Sequence, residues 1–203
     1  MSELLRHDAA LGCRFVAGAD EAGRGALAGP IVAAAVLLEP AALDAVALAR
    51  LNDSKRLTPK RREELALAIG RHAAAVAVVA VSSAEIDEIG IQAANLGALS
   101  RALDLVGAPE GAALLVDGFA LPMQARPHRA IVKGDATSAA IAAASIIAKT
   151  TRDRAMAGLD EVSPGYGFGT HAGYGTAAHK EAITRLGPCR AHRHSFAPIS
   201  LAA

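Results

Sequence analysis

Apolar residues run unbroken from Ile31 to Leu38 and through most of Arg14 to Ala19, and the two stretches flank a glycine-rich segment, Gly23 to Pro30. Short apolar runs bounded by turn residues predict buried strands, and two so close in sequence predict a hairpin. The period then changes. Leu43 to Ala49 reads as a short helix and Asn52 to Thr58 as a polar loop. Thr58 offers an N-cap and Pro59 a first helical residue, so a helix follows to about His72. Ala75 to Val81 is a valine-rich run and predicts a third strand. Ser82 and Glu85 have the spacing of a capping box, opening a helical region that breaks near Gly90 and resumes from Gln92 to Val106, before Gly107 and Pro109.

Ala113 to Val116 predicts a short buried strand ending at Asp117-Gly118, and Arg129 to Val132 another that runs into Lys133-Gly134-Asp135. An alanine-rich helix follows from about Ser138 to Met156, with Gly158 as its stop. Gly158 to Gly175 reads as a long glycine-rich loop, of the kind that is usually functional. The last helix spans Thr176 to Leu186 and ends at Gly187-Pro188. A hairpin, a third strand and then alternating helices and strands predict an α/β fold, a mixed β-sheet flanked by helices with a helical C-terminal portion. The chain, 203 residues long, is expected to form a single domain over 1–203.

Composition narrows the chemistry. The hydrophobic fraction is 52% with only 3% aromatics, so an aliphatic core is expected. Tyr166 and Tyr174 both fall in the glycine-rich segment, which suggests a surface role for each. A net charge of +1 excludes a globally basic nucleic-acid binder, leaving only local basic footprints: Lys55 to Arg62, Arg126 to Lys133, Lys149 to Arg154 and Arg190 to His194. Two cysteines, Cys13 and Cys189, make no disulfide framework, and Cys189, His192 and His194 lack the usual zinc spacing. The longest apolar run, Ala139 to Ala148, falls far short of the roughly 20 residues of a membrane span, and no leader pattern precedes the first strand. The expectation is a cytoplasmic, unexported protein with no membrane association, and nothing in the sequence demands more than a monomer.

Four acids lie at or just beyond strand ends: Asp20, Glu21, Asp117 and Asp135. In open α/β sheets, sites gather at the carboxyl ends of strands. Magnesium takes one or two carboxylates per ion with water and phosphate completing its shell, so four carboxylates suit two ions. Two ions roughly 3.5–4 Å apart activate a water and stabilise a leaving oxygen in phosphodiester hydrolysis. Beside the acids, the backbone N–H groups of Gly23-Arg24-Gly25 and the Arg24 side chain suit phosphate oxygens or a sugar hydroxyl. For any one acid, and above all Asp135 just before a helix, a capping or turn role is the alternative. A phosphate-cradling loop is approached at Gly18 to Gly23 but lacks its Lys-Ser/Thr pair, and Ser145 and Ser195 lack a nucleophile elbow. The residues alone thus point to metal-dependent phosphoryl transfer.

The string Gly18-Ala-Asp-Glu-Ala-Gly-Arg-Gly-Ala-Leu-Ala-Gly-Pro30 resembles the N-terminal signature of the ribonuclease HII family. So do Asp53-Ser-Lys-Arg-Leu-Thr58, Val116-Asp-Gly118, Lys133-Gly-Asp-Ala-Thr-Ser138, Ile141-Ala-Ala-Ala-Ser-Ile-Ile-Ala-Lys149, Gly173-Tyr-Gly-Thr176 and His192-Arg-His-Ser-Phe-Ala-Pro198, in order along nearly the whole chain. The resemblance implies a ribonuclease H-like fold and endonucleolytic cleavage of RNA paired with DNA, including single ribonucleotides in duplex DNA, leaving 3′-hydroxyl and 5′-phosphate ends. It implies Asp20, Glu21, Asp117 and Asp135 as catalytic metal ligands for Mn2+ or Mg2+, two ions with substrate bound. It further implies Gly23, Arg24 and Gly25 as reader of the 2′-hydroxyl, the group that separates RNA from DNA. Tyr174 would pack on the neighbouring sugar, Lys55 would contact backbone phosphate, and the region from about 158 to 203 would complete the substrate groove. Ala26 and Ala172 depart from the family pattern, where proline and lysine are common; the first is expected to loosen the turn and the second to remove a phosphate contact. Other phosphodiester work on the same fold, or non-catalytic nucleic-acid binding, are the competing readings.

Overall fold

The computed structural model describes residues 2–42, 51, 57–122 and 126–201. The predicted helix at 43–49 and Lys55 lie outside these. The apolar runs form strands β1 (Val16–Ala22), β2 (Ile31–Leu38), β3 (Ala75–Val81), β4 (Ala113–Asp117) and β5 (Arg129–Ile131), joined in one sheet in the order β3-β2-β1-β4-β5. β1, β2 and β3 pair antiparallel, the predicted hairpin and its continuation, whereas β4 joins β1 and β5 joins β4 in parallel. The mixed sheet follows from the connections: β1 and β2 need only a turn, while β4 is reached through helices.

Helices α1 (Glu3–Ala9), α2 (Pro59–His72) and α5 (Ala139–Val162) serve one face, and α3 (Ser83–Ile89) and α4 (Ile91–Leu105) the other. Alternation along β1 sorts the core. Val16 and Ala22 meet α5, whereas Ala17 and Ala19 meet α4. At Gly18 the strand and α5 touch backbone to backbone, since a Cβ there would fall 2.2 Å from the nitrogen of Ile141. The alanines of the first turns of α5, all buried, permit that closeness. Thr58, Ser82 and Ser138 cap α2, α3 and α5 through their hydroxyls.

Three expectations are corrected. Gly158 does not stop α5, which continues to Val162; the roughly 1 kcal/mol glycine penalty is outweighed by packing of Met156 and Leu159 against a satellite cluster. The segment after it is only partly loop, because α6 (Phe168–His171) forms there, pinned where the Phe168 N–H donates to Asp160 Oδ1 at 2.8 Å. Finally, β1 continues through the acid pair to Ala22 instead of ending at Ala19. The sequence reading also missed α1, whose buried Asp8 accepts from the Ala140 N–H at 2.9 Å and so caps α5 from a distance. The last helix, α7 (Ala177–Leu186), starts at the Thr176 cap.

Candidate active site

The β1–β4 register runs from Val16 opposite Ala113 to Ala19 opposite Val116. One step further places Asp20 beside Asp117 where the strands part. Both share the face that carries Gly18 and Leu115, the face covered by α5. Glu21 follows on the opposite side of the strand, so one acid points beneath α5 and its neighbour flanks it. β5 then delivers Asp135: the chain passes through Lys133, in the left-handed region at φ 55°, into a tight 3-10 turn, Gly134–Ala136. The Gly134 N–H donates to Asp117 Oδ1 at 2.6 Å, fastening that turn to the end of β4. Asp20 and Asp135 are both buried.

Burial first, then the negative charges of Glu21 and Asp117, pushes the Asp20 carboxyl up to about 8; hydrogen bonds from the Ser145 hydroxyl and the Glu21 N–H oppose this. Carboxylates that raise one another's proton affinity in this way attract a divalent cation, which relieves both the desolvation and the repulsion. Among the described residues no three His, Cys, Asp or Glu side chains close on a single point. Glu21 and Asp117 instead act on Asp20 through their charges, and Asp135 follows the Gly134 that Asp117 holds. Such a set suits magnesium or manganese, which keep water and substrate phosphate in their shells.

A cleft of about 430 Å³ opens at this edge, lined by Asp20, Glu21, Ala22, Gly23, Arg24, Gly25, Ser145, Lys149 and Tyr174. The structure thus brings the acid pair, the glycine turn and Tyr174 to one wall. Asp117 and Asp135 stand behind it. The sequence reading gave neither Ser145 nor Lys149 a place at the acid site, naming the first only as an unsupported nucleophile and the second only as the start of a basic footprint; one helical turn apart on α5, they face the same side. Lys149 pairs with Asp153 at 2.7 Å and its Nζ lies 5.9 Å from the Tyr174 ring centre. A second hollow of about 480 Å³, between Pro30, Ala155, Leu159 and Ala191, is nearly all apolar and has no acid in its wall.

Two arginines shape the turn, and both were expected on the surface as part of basic footprints. Arg152 and Arg193 are instead fully buried. Arg193 donates to the carbonyl oxygens of Gly23 (2.8 Å), Arg24 (2.9 Å) and Gly29 (2.9 and 3.1 Å). Arg152 donates to those of Pro30 (2.8 Å), Ala172 (2.9 Å) and Ala28 (3.1 Å). Burial, then the neighbouring Arg152 charge, lowers Arg193 to about 10, so it remains a cation at neutral pH, and burial lowers Arg152 in the same direction. Carbonyls drawn inward leave the tip of the turn, Arg24 and Gly25, exposed to the cleft side. The Ala26 N–H closes the turn on the Gly23 carbonyl at 3.3 Å, a bond that proline could not make.

Arg24 is held in place. Its Nη2 donates to Gln92 Oε1 at 2.8 Å and its guanidinium lies 4.7 Å from the centre of the Phe119 ring. Tyr174 is partly exposed at the cleft rim, with the Arg152 guanidinium 5.4 Å from its ring centre. Tyr166, expected at the surface, is buried: it stacks on Phe168 at 5.3 Å and its hydroxyl donates to the Gly187 carbonyl at 2.7 Å.

Comparison with known proteins adds the context. The sequence profile described as Ribonuclease HII matches residues 17–199. A Ribonuclease HII of Rhodococcus erythropolis is 51% identical over 187 residues, covering 91% of this chain and 80% of that protein. The crystal structure of ribonuclease H2 from Pyrococcus horikoshii superposes with a TM-score of 0.75 at 27% identity, covering 93% of this chain and 96% of that one. The Bst ribonuclease HIII crystal structure in complex with Mn2+ shares the fold, with a TM-score of 0.73 at 21% identity, over 97% of this chain and 71% of that one.

Proposed function

The chain belongs to the ribonuclease HII family and is therefore a ribonuclease H acting on RNA-DNA hybrids; from that premise we propose that it also nicks duplex DNA at single embedded ribonucleotides, by two-metal hydrolysis that leaves 3′-hydroxyl and 5′-phosphate ends. The carrying observation is the charge pressure on Asp20 from Glu21 and Asp117 in a cleft that the exposed tip of the glycine turn also lines.

Asp20, Glu21 and Asp117 would hold one divalent ion and Asp135 would help hold a second, manganese or magnesium. Bound there, the ions would supply Lewis-acid activation of water and charge neutralisation at the phosphate. The chain's own residues do the rest. The tip amides of Gly23-Arg24-Gly25 approach the ribose closely enough to meet its 2′-hydroxyl, because glycine leaves no side chain between backbone and sugar. Arg24 faces a phosphate, pre-oriented by Gln92 and Phe119. Tyr174 packs on the adjacent sugar, and Lys149 adds positive charge at the rim. Lys55 would contact the phosphate backbone from the Asp53 to Thr58 loop. The segment from about 158 to 203 completes the groove, within a single catalytic domain: its Arg193 grips the turn and its Tyr174 forms the rim. No helix among the described residues is long and apolar enough to cross a membrane. The reading is of a cytoplasmic monomer working on replicated DNA and its repair.

The test is nicking of a duplex carrying one ribonucleotide, with manganese or magnesium, mapped for the side of the cut and run beside an all-DNA duplex and a chelator control. Cleavage confined to the ribonucleotide strand and abolished by Asp20→Asn is expected. Equal cleavage of the all-DNA duplex, or full activity of Asp20→Asn, would overturn the assignment.

A further inference from the structure

Beyond the acid cleft, the chain buries a row of imidazoles whose protons can be placed from their partners. The Cys189 N–H donates to His192 Nδ1 at 2.9 Å, with the Cys189 carbonyl oxygen farther off at 3.3 Å, and only a proton on Nε2 also serves the neighbouring His179, so His192 carries its proton there. His192 Nε2 lies 3.2 Å from His179 Nε2. His179 Nδ1 lies 2.9 Å from the Tyr174 carbonyl oxygen, which can only accept, so the His179 proton sits on Nδ1 and its Nε2 accepts from His192. Each ring has one tautomer that satisfies both of its neighbours, and the line ends on the backbone of Tyr174.

We propose that His179 is a positioning residue for Tyr174, locked by His192 in the one tautomer that can hold the Tyr174 carbonyl. The proposal rests on the reading of Tyr174 as a substrate contact for its effect on cleavage, though not for the positioning itself. The Tyr174 carbonyl also accepts from the Thr176 N–H at 2.8 Å, so both its lone pairs are engaged and the peptide cannot rotate without breaking one bond. Its N–H donates to the His171 carbonyl at 3.0 Å. The ring that results stands at the cleft rim beside Lys149 and Arg152.

Both rings serve all their partners only while neutral. A proton added to His192 Nδ1 would cost the bond from the Cys189 N–H and leave it the Cys189 carbonyl at 3.3 Å, and one added to His179 Nε2 would face the proton on His192. The titratable groups that act on the pair are His171, stacked on His179 at 4.4 Å, and Cys189, His194 and the two rings on each other; Tyr166 and Phe168 supply ring edges and faces. Among the described residues none of the groups acting on either ring is a carboxylate. Burial first, then the other imidazole, lowers His192 to about 4, which keeps the lock intact at neutral pH.

The experiment uses the tyrosine content of the chain. With no tryptophan and two tyrosines, Tyr166→Phe leaves Tyr174 as the one strong fluorophore. In that background His179→Leu should lower the fluorescence anisotropy of Tyr174 and raise its quenching by acrylamide, whereas His179→Asn, whose amide can replace the Nδ1 donor, should resemble the parent. On the ribonucleotide-containing duplex, His179→Leu should raise KM about fivefold, the worth of one hydrogen bond, with kcat within about twofold. Tyr174→Ala combined with His179→Leu should behave as Tyr174→Ala alone. His192→Asn keeps an acceptor for Cys189 and removes the Nε2 donor together with the ring's packing on Tyr166 and Phe168, so it serves as the second variant should His179→Leu not fold, and it too should loosen the ring. An unchanged Tyr174 signal in His179→Leu or in His192→Asn, or additive losses in the double variant, would overturn the proposal. A loosened ring with no effect of Tyr174→Ala on cleavage would uphold the positioning and remove Tyr174 from the substrate contacts.

Discussion

Gly23 lies directly against Arg152: a Cβ at residue 23 would fall 1.9 Å from the arginine Nε, and the backbone there has φ 94°. The arginine cannot yield, since all of its nitrogens are engaged by carbonyl oxygens. Gly25, two residues on, has open space around it and no positive φ. Gly23→Ala should therefore melt at least about 5 °C below the parent, through strain and lost arginine bonds. Gly25→Ala should melt with the parent yet lose more than about tenfold in kcat/KM, because its new methyl group meets only substrate. Thermal denaturation beside nicking kinetics checks the pair; equal melting losses in both would contradict it.

The raised Asp20 carboxyl makes the metal-free protein sensitive to pH in a definite direction. Between the ordinary value of 3.8 and about 8 the folded chain holds a proton that the unfolded chain releases. Stability from this group is thus fully present at acid pH and falls as pH rises through that window. In chelator, Asp20→Asn should flatten the fall and melt about 5 °C above the parent at pH 8.5. Manganese should then raise the melting temperature of the parent and leave the variant where it was. Parallel pH slopes for the two proteins would show that Asp20 carries no such burden.

Arg24 depends on Gln92 and Phe119 for its direction. Removing the amide in Gln92→Ala should raise KM for the ribonucleotide-containing duplex about threefold to tenfold without moving the melting temperature. Arg24→Lys should lose at least as much, since an ammonium cannot reproduce the forked guanidinium stacked on a ring. Steady-state kinetics at fixed salt decides this; an unchanged KM in both variants would place Arg24 outside the substrate path.

Replacing the buried Arg193 takes its guanidinium away from the carbonyls of Gly23, Arg24 and Gly29, of which Gly23 keeps the Ala26 N–H. Arg193→Met keeps the apolar stem but should cost about 3 kcal/mol, a loss near 10 °C in melting temperature. Arg193→Lys, with one ammonium for three carbonyls, should recover only part of this. Calorimetry measures it, and a variant as stable as the parent would mean that the turn holds itself.

The strands were legible because their apolar runs are short, dense in β-branched or alanine residues and cut off by polar residues. Ile31 to Leu38 and Ala75 to Val81 match the structure at both ends. The meeting of Asp20 with Asp117 was also legible, since acids at strand ends gather wherever those strands are parallel neighbours. The helix Glu3–Ala9 escaped notice because its buried face amounts to Leu5 and Asp8, too little for a periodic signal. The two arginines were misread for a deeper reason. In sequence, Arg152 and Arg193 sit among other cations and look like solvated charge, and their partners are backbone carbonyls, which leave no trace in side-chain identity. Tyr166 failed likewise: glycine neighbours suggested exposure, while its hydroxyl had a carbonyl waiting across the fold.

The guanidiniums that mould residues 23–30 come from positions 152 and 193, up to 170 residues downstream. A ribosome making this protein therefore releases Asp20 and Glu21 long before the clamp for the turn beside them. Until residue 193 has emerged and found its seat, the nascent chain carries the acid pair beside a turn that still lacks this guanidinium. A truncated product ending before that point would keep the strand and lose the fastening of the turn that follows it.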